Sequence, residues 1–481
     1  MKGLPSVEPG TSTRTRRWDA VVVGAALPGL VAAVRLGMQG KRVLVLEEEA
    51  VSGRFPGLRE PFWMSGAHKE GVLGACLRAL GVPLIDQRRI EIDPVAFQVV
   101  MPDARIDIGE APLCVDEWVA WGLAKPEEAR ALVRALGDAA EAERAALLEA
   151  AFVRTGSWLS RSVRRGASPA VDPPATSAKP PRHARGVPGE VESAPPALRA
   201  ILEAQVRALS LAATAPSAHA RARLLGAPLE GGGVVRGSDP WLRGILRRRI
   251  ESLYGEFRGV PELFRLVSLG GQPGLAPDAG GESGEIWVGR ALVLNAPRTA
   301  LASAVAQDPP DLLAGPRLTH RLHTLHLLVA RDLVPEAMAS RVILLGGSSS
   351  LKRTRDSGLT LRRFACPDDP TQLHLLVSAL VDAAEPDLAT REAEMIDAVA
   401  GLMPFAEGRL APVQEPEARW DDDSAVEEPA SGEGWPGDVE IRAGGKLPVF
   451  RLDRAAVAGL GFEGELLLGW RGGDAIAAEL G

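Results

Sequence analysis

Cysteine is scarce in this chain. Its 481 residues include three, Cys76, Cys114 and Cys366, set far apart. An odd, scattered set excludes a disulfide framework and a cysteine metal knuckle, and it points to a reducing compartment. Each cysteine reads as a small buried hydrophobe. Excess positive charge is also missing. With 55 Lys and Arg against 62 Asp and Glu, the net charge is −7, which leaves no electrostatic case for a nucleic-acid partner. Long apolar runs are missing too. The longest, residues 20–34, falls short of a bilayer span and contains a glycine turn. Residues 1–16 hold prolines, threonines and basic residues without an apolar stretch, so they read as a disordered tail and not a signal peptide. These absences together lead us to expect a soluble, cytoplasmic protein.

Enough apolar residues are present to build a sizeable core. At 46% hydrophobic and 24% charged the composition is that of a globular protein, and the length suggests two or three domains, one of them possibly discontinuous.

Residues 19–54 organise the rest. Residues 21–23 are a β-branched run suited to a buried parallel strand. Gly24, Ala25, Ala26, Leu27, Pro28 and Gly29 form a tight turn that opens an apolar helix over 30–38, and Gly40 ends it. Residues 43–46 are a second buried strand closing on Glu47 and Glu48. This is a βαβ unit with a glycine turn at its first corner and an acid at the end of its second strand. The turn and helix N-terminus present N–H groups and a positive dipole end to a pyrophosphate. The acid about twenty residues on suits a ribose hydroxyl. The pattern G-x-G-x-x-G becomes Gly24-x-Ala26-x-x-Gly29 here, and the Ala26 methyl stands where a bare backbone would approach the phosphates. Pro28 suits the first helical turn.

Downstream, Ser52, Gly53 and Arg54 follow the acid, then a segment ending at Gly66 and a helix over 69–80 ended by Gly81. This arrangement resembles the FAD-dependent amine oxidase and phytoene desaturase superfamily, in which a Gly-Gly-Arg turn follows the ribose acid. Ser52 replaces the first of those glycines. Residues 257–264 and the pair Gly270, Gly271 resemble a further family segment, and 291–297 resemble its return strand. Residues 272–283 read as a short loop where the family has strands that reach the adenine. At the C-terminus, 464–469 read as a strand and Trp470, Arg471, Gly472 and Gly473 as the start of a glycine-rich helix facing the flavin. Trp470 stands where the family has an acid.

The middle of the chain is less specific. Residues 116–152 and 197–225 read as helical, and 165–196, rich in Pro, Ser, Ala and Gly, as a flexible insert. Residues 241–257 form a helix with an apolar side and arginines elsewhere. It reads as a packed helix, or as an interfacial helix making peripheral membrane contact. His320, His323 and His326 recur at steps of three. We read them as a strand and assign no metal. Residues 346–358 are a basic loop, 390–402 an amphipathic helix, and 420–437 an acidic, Gly/Pro-rich exposed loop.

The resemblance implies an α/β fold: a Rossmann-like FAD-binding domain over 17–115, 255–300 and 440–481, and a discontinuous α+β substrate domain over 116–254 and 301–439. It implies FAD held by Gly24, Ala26, Leu27, Pro28, Gly29, Glu47, Glu48, Ser52, Gly53, Arg54, Trp470, Gly472 and Gly473. The expected activity is an FAD-dependent oxidoreductase acting on a small lipophilic or amine-like substrate, with no catalytic residue assigned. The alternative is a non-catalytic relative that has lost or weakened FAD binding and acts as a binding or scaffold protein.

Overall fold

The computed structural model describes residues 4–6, 14–150, 152–155, 185–278, 285–346, 358–403, 405–428, 439–443 and 445–481. Strand β1 (Arg14–Val23) runs into the glycine turn, helix α1 (Leu27–Met38) and strand β2 (Val43–Glu48). Both faces of this unit are buried. Ala20, Val22, Val43 and Val45 point into the core that contains α1, and Val21, Val23, Leu44 and Leu46 into the core on the other side. That two-sided burial explains the unbroken apolar runs. Helix α2 (Leu242–Ser252) and strand β3 (Glu256–Val260) follow, with β3 parallel to β2. Next come β4 (Phe264–Leu269), β5 (Gln272–Pro277) and β6 (Glu285–Leu294). The sheet order is β3-β2-β1-β6-β5-β4, and the short β7 (Val449–Arg451) pairs parallel with β6. Four neighbouring pairs are parallel: β2–β3, β1–β2, β1–β6 and β6–β7. This is the doubly covered parallel sheet of a dinucleotide-type domain.

Several expectations need correction here. The loop over 272–283 contains a strand: β4 and β5 form a hairpin across Gly270 and Gly271, whose φ values are +58° and +78°. Paired positive φ matches the turn that two-residue hairpins favour. Pro273 and Pro277 hid the strand from pattern reading. The tail is not wholly outside the fold either. β1 already begins at Arg14, and Ser6 bridges Ser268 at the sheet edge.

The C-terminus departs furthest. Residues 464–469 are not a strand, and no helix starts at Gly472. A single helix, α3, spans Gly461–Leu480. The short strand β7 precedes α3, and Asp453 just beyond it caps Ala455 N–H (3.1 Å) and pairs with Arg298 (3.3 Å). The glycines of α3 serve helix packing. A Cβ on Gly469 would lie 2.5 Å from the Pro28 carbonyl oxygen, and one on Gly473 3.0 Å from the Ala32 Cα. Small residues there let α3 lie directly on α1. Gly469→Val is therefore expected to cost about 1–3 kcal/mol or more through overpacking. A thermal melt indistinguishable from wild type would show that this contact yields.

A second sheet of eight strands among the described residues is built around the long antiparallel pair Leu318–Ala330 and Gln372–Asp382, and it packs one face against helix Leu388–Ala400 through Leu327, Leu375, Val377, Met395 and Val399. His320, His323 and His326 lie on its long strand Leu318–Ala330. His323 meets Glu392 (3.0 Å), whereas His326 is held between Glu415 (2.6 Å) and His374 (2.5 Å) beside Phe55. Among the described residues, no helix is long and apolar enough to cross a membrane. In α2, Leu242, Ile245, Leu246 and Ile250 are buried in the α1 core, so its apolar side is covered by protein. Residues 165–184 of the expected insert and 347–357 of the basic loop lie outside the described residues. Gly189–Ser193, inside the insert, is a helix.

Candidate functional site at the first turn

Gly24 sits at φ +98°, and a Cβ there would lie 2.9 Å from the Asn295 carbonyl oxygen. The position thus needs glycine twice over, for conformation and for space. The α1 N-terminus begins with Ala26, Leu27 and Pro28, and no acid occupies its first turn. The turn leaves orphan N–H groups and a positive dipole end. Asn295, at the end of β6, lies over it. Its amide donates to the Ala26 carbonyl (3.0 Å), and its side chain fills the space a Cβ on Gly29 would need.

The segment expected to be an exposed acidic loop closes over this turn. Trp420 is fully buried and packs edge-on against Phe264, with ring centroids 5.3 Å apart. Asp421 is 1% exposed and accepts a hydrogen bond from Ala25 N–H (3.1 Å) and an ion pair from Arg59 (2.8 Å). Asp422 pairs with Arg54 (3.2 Å), and Asp423 with Arg243. Arg243 also donates to the Ala25 carbonyl (2.6 Å). Glu48 fixes the strap from the far side. Its carboxylate accepts the N–H groups of Arg419 (2.9 Å), Trp420 (2.9 Å) and Asp421 (3.1 Å). Three consecutive acids look solvated in the sequence. Here each is paired with an arginine, two of the three arginines lying within the same loop, at 54 and 59.

The acids differ in their hold on a proton. Burial pushes the Asp421 carboxyl up to about 6 against the pull of Arg59. Burial acts the same way on Asp423, but Arg243, Arg59 and Arg454 outweigh it and hold that carboxyl down at about 2. Around the turn, Arg54 Nε, Arg59 Nε, Asn295 Oδ1, Asp421 Oδ2 and Trp420 Nε1 are buried with no hydrogen-bond partner among the described residues. Unpaired buried polar atoms of this kind are costly, and five of those among the described residues lie around the turn and the segment over it.

The site residues named from the sequence fall into three groups. Gly24, Ala26, Leu27, Pro28, Gly29, Glu47, Glu48 and Arg54 surround the turn. Glu47 is engaged by Arg247 (2.9 Å). Ser52 and Gly53 are exposed in the adjoining loop, where Ser52 donates to the Glu49 carbonyl (2.8 Å). Trp470, Gly472 and Gly473 lie on α3. Trp470 carries Arg471 over its ring (4.4 Å), Gly472 faces Leu452, and Gly473 faces Ala32 and Arg35. Arg59, Arg243, Asn295 and 421–423 were missed, because they reach the turn only through folding. The tryptophan beside the acid run was the one local hint.

The fit to a pyrophosphate can be tested on these contacts. Helix N-terminus, arginine trio and unpaired donors suit a dianion. The seat itself is taken by Asp421, and residues 24–29 are all buried. The donor set fits, and a carboxylate of the chain's own now uses it.

No family model matches the chain. A stretch of 59 residues is 42% identical to prolycopene isomerase from Daucus carota, covering 12% of this chain and 10% of that protein's length. Similar solved structures include an oxidoreductase from Methanosarcina mazei, at 13% identity over 94% of this chain and 98% of that one, with a TM-score of 0.49. Putrescine oxidase bound to putrescine is 15% identical over 97% and 100%, with a TM-score of 0.49. A flavin-dependent brominase is 14% identical over 97% and 80%, with a TM-score of 0.43.

Proposed function

We propose, for a chain that resembles the FAD-dependent amine oxidase and phytoene desaturase superfamily, that it is an FAD-dependent oxidoreductase acting on a small lipophilic or amine-like substrate. One observation carries this reading. The βαβ turn at Gly24–Gly29 brings an acid-free helix N-terminus together with Arg54, Arg59 and Arg243, each already paired with a carboxylate. With those carboxylates displaced, the three arginines and the helix dipole supply the positive field a diphosphate needs. In this reading the α1 N-terminus and the three arginines hold the diphosphate, and Glu47 or Glu48 holds the adenosine ribose. FAD, when bound, supplies the redox chemistry. The chain's own part is to bind, orient and exclude water. The buried turn serves exclusion. The second sheet packs His326 and His374 against Phe55, and Arg362 donates to the Leu58 carbonyl (3.3 Å), which holds the loop over 55–60 beside the turn. The local likeness to an isomerase named for prolycopene supports the lipophilic choice.

The alternative, a non-catalytic binding or scaffold relative, is favoured by the carboxylate in the anion seat. FAD titration separates the two. The enzyme reading expects saturable quenching of flavin fluorescence and a raised melting temperature. It fails if neither wild type nor Asp421→Asn takes up FAD at about millimolar concentration.

A further inference from the structure

The arginines and the α1 N-terminus are arranged for an anion, and the chain supplies one. We propose that residues 419–423 are a built-in competitor for the cofactor's diphosphate, with the Asp421 carboxylate seated on the Ala25 N–H where a phosphate oxygen would bind. The inference rests on the FAD reading of this site and adds that the cofactor enters only by displacing the strap.

Three observations support it. The first is stoichiometric. Asp421, Asp422 and Asp423 occupy Arg59, Arg54 and Arg243 one for one, so cofactor phosphates and strap cannot use the same cations together. Two anions at hydrogen-bond distance from one N–H repel strongly in a buried site. The second is that Glu48, at the end of β2, is committed to the strap's backbone through three N–H groups. A ribose hydroxyl seeking that carboxylate meets the same competitor. The third is that the seat is imperfect. Asp421 Oδ2 has no partner among the described residues, and neither do Arg54 Nε and Arg59 Nε. A buried carboxylate with one oxygen unpaired is poorly rewarded for being there, so a ligand that pairs more of these donors can displace it. Release is also cooperative. When the strap lifts, all three arginines are freed at once for the incoming diphosphate.

The groups around Asp421 are Arg59, Ala25 N–H, Asp423 and Glu47. The two acids add repulsion for any further anion, so removing the Asp421 charge helps the diphosphate without disturbing its cations. The test uses the full chain, as wild type, Asp421→Asn and Asp421→Ala. The asparagine keeps the size and the hydrogen bond from Ala25 while removing the charge. ADP is titrated calorimetrically and FAD by fluorescence quenching, with circular dichroism confirming the fold. Both variants are expected to bind ADP and FAD at least about tenfold more tightly than wild type. Should the variants not fold, wild type itself decides. Hydrogen exchange at the Arg419, Trp420 and Asp421 amides should accelerate on saturation with FAD, because Glu48 lets them go. Equal affinity of wild type and variants, or unchanged amide protection in FAD-saturated wild type, overturns the competitor while leaving the FAD reading standing. Folded variants and wild type that all ignore both ADP and FAD overturn the FAD reading and the competitor with it.

Discussion

Replacing Arg223 with methionine should cost about 3–5 kcal/mol of folding stability, because it strands a buried carboxylate. Arg223 is 1% exposed and grips Glu463 through two donors, at 2.8 and 2.7 Å. Glu463 lies in the first turn of α3 and is itself 2% exposed. Arg223 also reaches Glu230 (3.4 Å), which His68 holds from the other side (2.7 Å). This cluster fastens the helix Ala218–Gly226 to the start of α3. Urea or thermal denaturation measures the loss, and a change under about 1 kcal/mol would refute it. The double change Arg223→Met with Glu463→Leu should recover most of the stability, since it removes both charges together. The cluster also has a pH signature. Burial works to raise the Glu230 carboxyl from 4.5, but Arg223 and His68 outweigh it and hold it at about 2. A depressed folded value means that its stabilisation is complete above 4.5 and is lost as pH falls toward 2.

Trp420→Ala is expected to be similarly severe, at about 3–5 kcal/mol, as for other fully buried large aromatics. The ring is fully buried, contacts Phe264 and sits in the core below β1 and β2 with Trp287 and Leu46. Its backbone N–H is tied to Glu48. The cavity therefore opens directly under Asp421, and the strap should become a site of limited proteolysis as well. Thermal melts and mapping of the first tryptic cut check both effects. A cut pattern and melt unchanged from wild type would mean that the strap is held without its anchor. The two variants separate two roles: Arg223 ties helix to helix, and Trp420 ties the strap to the turn.

Where signals were local, the sequence was legible. The β1–α1–β2 unit declared itself through a β-branched run, a glycine with positive φ and a second apolar run, and each depends only on neighbours a few residues away. The same local logic failed in α3. Leu466, Leu467 and Leu468 form a short apolar run, which a buried strand and a buried helix share. Gly469 reads as a strand end and the pair Gly472, Gly473 as a helix start, whereas Gly469 and Gly473 are the floor on which α1 rests and Gly472 faces Leu452. β5 was hidden by its prolines, because its neighbour's pairing tolerates them at positions that pattern reading penalises.

The strap over 419–423 marks the limit of that logic. A run of Trp and three Asp has the composition of a solvated loop, and by composition alone it should be one. The sequence by itself determined the turn at Gly24–Gly29, the parallel strands around it and the anion-seeking end of α1, because backbone geometry and apolar periodicity are short-range properties. Only the tertiary structure decided what faces that turn. Arg54, Arg59, Arg243 and Glu48 come from parts of the chain up to about 370 residues away from the acids they engage, and burial of a charge becomes favourable only when its partners have already been brought to it.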